Sequence, residues 1–142
     1  MRFHFRRNIR MRWDVIIFSV SMLLYLLNRF IFRDMFNGII GYLLRCHFND
    51  FLGGICICAY IDFMVLNSKF YFRYKFFKLY QIILICFICG LLWEYIFPFF
   101  WKHGTSDFFD VIAYSLGGVV YWCMVTVLRI RKRRIKNRII SR

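Results

Sequence analysis

The sequence predicts an all-α integral membrane protein, a four-transmembrane-helix bundle with an interfacial or re-entrant helix between the first and second spans. Three observations predict it. The 142 residues are 61% hydrophobic and 23% aromatic, far more apolar than a domain whose surface must face water. The net charge of +14 is gathered mainly between apolar runs rather than spread along them. Four of those runs meet or approach the roughly 20 residues that a helix needs to cross a hydrocarbon core about 30 Å thick. A basic domain that reads phosphates is not built around such runs, so no nucleic-acid partner is expected.

The whole chain, 1–142, reads as one membrane domain. Its basic start, MRFHFRRNIRMRWD, leads into a first span at 15–32. A secretory signal would place small residues at a cleavage site soon after the apolar run. This run ends instead in Asn28 and Arg29, so an uncleaved first span is expected, with Arg29 reaching the headgroups. The next segment, 35–44 (MFNGIIGYLL), is too short to cross and supplies the interfacial or re-entrant helix.

The second span, 51–66, is short and carries Asp62, for which a salt bridge to Lys69, Arg73 or the basic tail is expected ahead of a proton relay. The third, 79–100, contains Glu94 and the single proline, Pro98, and the fourth is 108–128. The tail 129–142 is strongly basic, with isoleucines at 130, 135, 139 and 140. It fits a helix on an anionic inner leaflet, where each basic residue contributes about 1 kcal/mol.

Positive charge sets the expected orientation, because cytoplasmic loops retain lysine and arginine. With the N-terminus inside, 17 of the 21 basic residues are cytoplasmic, and Arg29, Arg33, Arg45 and Lys102 are outside. Both termini are then cytoplasmic. The acids divide the other way: Asp34, Asp50, Glu94, Asp107 and Asp110 fall outside, leaving Asp14 and Asp62 for the inner half. Topology does not require this division, since acidic residues contribute little to it.

Helix capping accounts for part of it. Asp107 precedes the fourth span and can cap its first-turn amides, while Asp110 favours the positive helix end; Asn49 and Asp50 are placed to do the same for the second span. Glu94 resists that account. It lies near the negative end of its helix in a desolvating environment, so it needs a partner, and a salt bridge to Lys102, Arg45 or Arg29 is the plainest one.

The short connector between the third and fourth spans should bring Glu94 to the start of the fourth. There Asp107, Asp110, Tyr114, Gly117 and Tyr121 recur at steps of 3, 4, 3 and 4 along one helix face. Gly117 and Gly118 permit close approach of another backbone, and Asp50, with Gly53 and Gly54 one turn below, can complete the cluster. The expected site is therefore an outward-facing acidic pocket of Glu94, Asp107, Asp110 and Asp50 with Tyr114, lined by Trp93 and Tyr95 and supported by His103. Such a pocket suits a lipid headgroup, a cationic lipophile or a divalent cation.

Cys56, Cys58, Cys86, Cys89 and Cys123 lie inside apolar stretches, and only Cys46 lies in a connector. Cys56 and Cys58 project to nearly opposite sides of a helix, so these spacings make a poor zinc site and the thiols are expected to pack as small apolar groups. No cofactor and no resident metal are expected.

Glu94 followed by GTSDFFDVIAYSLGGVVYW (104–122) resembles the VanZ-like family of small bacterial membrane proteins. That family's pattern has a glutamate on one span, a short loop with glycine and arginine, paired aspartates and a glycine-rich helix. Glu94, Asp107, Asp110 and Gly117 occupy matching places. Tyr114 stands where the family usually has asparagine, and Thr105 or Ser106 where it has the loop arginine. The resemblance covers the C-terminal third and implies a multipass protein of the bacterial cytoplasmic membrane with a role in the cell envelope, whose founding members are associated with teicoplanin resistance.

Two other functions fit parts of the sequence. A small proton-coupled transporter would use Glu94 and would require a homo-oligomer, although transport sites are usually built at the midplane. A lipid-modifying enzyme has only His103, Ser106 and Thr105 near the carboxylates, and no G-x-S-x-G motif occurs, so a non-enzymatic role is expected.

Overall fold

The computed structural model describes residues 2–67, 78–100 and 107–140. Among them every regular element is helical. In chain order these are α1 (Arg2–Leu27), a π-helical turn (Asn28–Phe32), α2 (Arg33–Met35), α3 (Gly38–Cys46), α4 (Phe48–Asn67), α5 (Leu79–Leu91), a second π-helical turn (Leu92–Ile96), α6 (Phe97–Phe100) and α7 (Phe108–Ile140). Four stretches are long and apolar enough to cross a membrane: Trp13–Phe32, Phe48–Val65, Leu79–Ile96 and Phe108–Leu128. The protein is an all-α, multipass four-helix membrane bundle. Large apolar side chains such as Leu23, Phe30, Leu84 and Leu116 lie exposed along its outer faces, an arrangement that lipid satisfies and water does not.

Residue pairings fix how the helices run. Asn28 meets Asn49, and Asp14 lies with Asp62 on the hydroxyl of Tyr121, so α1 and α4 are antiparallel. Glu94 meets Asp107 and Gly90 meets Val111, so α5 and α7 are antiparallel as well. His47 pairs with Asp110 and Asp62 with Tyr121, so α4 and α7 run parallel. The end of the bundle where α4 and α7 begin is called the upper end below.

Glycine makes the α4–α7 contact possible. A Cβ on Gly54 would strike the carbonyl oxygen of Tyr114, and a Cβ on Gly117 would strike the carbonyl oxygen of Phe51. Each helix thus presents a bare backbone to the other, the small-residue packing that lets membrane helices approach closely. Around and below this crossing Leu52, Ile55, Cys58, Ala59, Ile82, Cys86, Tyr121 and Val125 form the core. Cys58 and Cys86 sit 3.2 Å apart in it, as small buried groups.

Deeper still, Tyr121 Oη lies 3.1 Å from Asp14 Oδ1 and 2.9 Å from Asp62 Oδ2, with all three side chains buried. The salt-bridge partners expected for Asp62, Lys69 and Arg73, lie outside the described residues.

The short helix between the first two spans is α3, nine residues long. It is held to the upper end of α1 by Asn28, whose Nδ2 donates to the Leu44 carbonyl at 2.8 Å and to Asn49 Oδ1 at 2.9 Å. At the other extreme, α7 continues unbroken for 33 residues. At 1.5 Å per residue it is about 50 Å long, so its basic end runs well past a hydrocarbon core of about 30 Å.

Candidate functional site at the upper end

Three elements deliver side chains to the upper end, each for a local reason. The first turn of α7 is capped by Asp107, whose Oδ1 accepts from the Phe109 N–H at 2.9 Å. This is the expected N-cap. It commits one carboxylate oxygen and leaves the other for the site. Asp110, one turn on, lies on the face turned toward α4.

On the α5 side Glu94 lies in the middle of the π-helical turn. Pro98, four residues later, has no N–H to return to the Glu94 carbonyl. The helix widens there instead of continuing with α geometry, as such turns do where the ladder is interrupted. Glu94 points inward, only 8% exposed, and its Oε2 accepts from the Asp107 N–H at 3.2 Å. The expected meeting of Glu94 with the start of the fourth span is therefore direct.

The third contributor is the α3–α4 junction. His47, the residue that closes α3, places Nδ1 2.6 Å from Asp110 Oδ1. One ligand atom each from His47, Asp107 and Asp110 all lie within 4.8 Å of one another. Asp50, in the first turn of α4, is half-buried and within electrostatic range of Asp110, Glu94 and His47.

Tyr114 forms the floor. It is 8% exposed, and its ring and hydroxyl lie against Gly53, one turn below Asp50. It is within electrostatic range of Asp50 and Glu94, and no protein group among the described residues hydrogen-bonds its hydroxyl. Asn28 is fully buried in the π-helical turn that follows α1, with Oδ1 meeting no partner.

All five residues expected at the site thus gather at one end of the bundle. Trp93 and Tyr95 do not line it. They are 55% and 49% exposed, because neighbours of an inward-facing helical residue are turned about 100° away from it. Arg45 is not the partner of Glu94 either, since it donates to the Phe36 carbonyl at 3.0 Å. Lys102, His103, Thr105 and Ser106 lie outside the described residues.

Among the described residues no lysine or arginine side chain pairs with Asp50, Glu94, Asp107 or Asp110. The sequence reading missed His47, although it stands three residues before Asp50, one helical turn away. Comparison of the chain with protein-family models, curated proteins and solved structures gave no match.

Proposed function

We propose that this is a VanZ-like protein of the bacterial cytoplasmic membrane, with both termini in the cytoplasm and its upper end facing outward. There it holds a cationic group in the pocket of Asp50, Glu94, Asp107, Asp110 and Tyr114. One observation carries the reading: four carboxylates converge at the edge of a membrane domain, and among the described residues a single histidine and no lysine or arginine is set against them. Carboxylates are costly to gather in a desolvated place unless a positive charge joins them. A lipid amine, a cationic lipophile or a divalent cation each supplies it.

The envelope role rests on the resemblance of Glu94, Asp107, Asp110 and Gly117 to the VanZ-like pattern, and the orientation on the distribution of lysine and arginine. The basic end of α7 engages the anionic inner leaflet through the turns that follow Leu128. The reading is a binding function, with no enzyme activity assigned.

Thermal melting of the detergent-purified protein tests it. A bound ligand stabilises by RT ln(1 + [L]/Kd), about 2.7 kcal/mol at a hundredfold excess over Kd. Manganese, zinc or a cationic amphiphile such as dodecyltrimethylammonium should raise the melting temperature of the wild type, and Glu94→Gln and Asp110→Asn should remove the rise. Equal shifts in wild type and variants would remove the pocket from the account.

A further inference from the structure

We infer that the cationic group is a first-row divalent transition metal ion, held by His47 Nδ1 and by one carboxylate oxygen each from Asp107 and Asp110. This rests on the cation-pocket reading and narrows it to one ligand class. The donor set makes the choice. Magnesium and calcium take oxygen ligands, whereas an imidazole nitrogen joined to carboxylates suits zinc, manganese, iron or cobalt. Donor atoms within 4.8 Å of one another need little movement to meet one ion, since bonds of about 2.0–2.2 Å place two ligands at most about 4.4 Å apart.

The backbone supports the same arrangement. His47 is fixed by its place at the α3–α4 junction, where its N–H donates to the Leu43 carbonyl and its own carbonyl accepts from Phe51, both at 3.0 Å. Asp107 is fixed as the cap of α7 through one oxygen. Neither donor depends on a mobile chain end.

Tyr114 is the independent sign of a ligand. A tyrosine more than nine-tenths buried normally finds a partner for its hydroxyl. Tyr114 has none among the described residues, yet it lies beside Asp50 and Glu94. A metal held by three protein ligands keeps an open coordination position for water. Asp50 and Glu94 lie within electrostatic range of Asp110, and Tyr114 lies within range of both.

The test is metal binding by the full-length protein in detergent after chelator treatment. Cobalt(II) is titrated while its visible absorption bands are followed, and zinc stoichiometry is measured by elemental analysis. One ion per chain is expected, undisturbed by a thousandfold excess of magnesium, with affinity at least tenfold lower in His47→Gln and in Asp110→Asn. Helicity and monodispersity of both variants serve as controls for folding, and the preference for zinc over magnesium is read on the wild type alone.

Binding of magnesium or calcium as tightly as zinc, unaffected by His47→Gln, overturns the transition-metal inference and leaves the cation pocket standing. So does stabilisation by a cationic amphiphile with no metal bound. Failure of every cation to bind overturns both.

Discussion

Single side chains separate packing from function at two tyrosines. Tyr121 bridges two buried carboxylates, so Tyr121→Phe takes a donor from Asp14 and Asp62 and should cost ~1–3 kcal/mol, read as a lower melting temperature in detergent. Tyr114 differs, because its hydroxyl bonds no protein group among the described residues. Tyr114→Phe should change the stability of the ligand-free protein by less than about 0.5 kcal/mol while weakening cation-induced stabilisation. A large loss of ligand-free stability would show that the hydroxyl has a structural partner. At this scale the sequence was uneven. Glu94, Asp107, Asp110, Asp50 and Tyr114 were legible because a carboxylate in an apolar run stands out, and because steps of three and four place residues on one helix face. His47 was not, since a lone histidine in a connector has no periodicity and only the fold joins it to Asp110, 63 residues away.

Helices meet here through bare backbone, and that contact sets the geometry of the site above it. Gly117→Leu would push α7 off the Phe51 carbonyl and should destabilise the protein by ~1–3 kcal/mol, seen as a lower melting temperature; an unchanged melt would mean that the two helices are not held at this crossing. The spans were legible to within four residues, because length and hydropathy alone decide whether a helix can cross a bilayer. The π-helical turns were not. One extra residue in a helical turn barely alters an apolar pattern, yet the turns at Asn28–Phe32 and Leu92–Ile96 each carry a buried polar side chain, Asn28 and Glu94. Pro98 was the available signal for the second. The first has none that we can identify in the sequence.

For the molecule as a whole, charge separates the two ends: carboxylates gather where α4 and α7 begin, and the strongest basic runs lie at the opposite end. The proposed orientation puts Cys46, exposed at the end of α3, outside the cell. A membrane-impermeant maleimide should therefore label Cys46 in intact cells, and labelling that requires permeabilisation would reverse the orientation. The four-helix architecture followed from composition, but the proposed site at the upper end draws on groups from the α3–α4 junction, α4, the second π-helical turn and the start of α7. Native mass spectrometry of the detergent-purified protein tests that convergence most directly. The account predicts a cationic or lipid adduct on the wild type that is lost in Asp110→Asn. A wild type without any adduct, or the same adduct on both proteins, would contradict it.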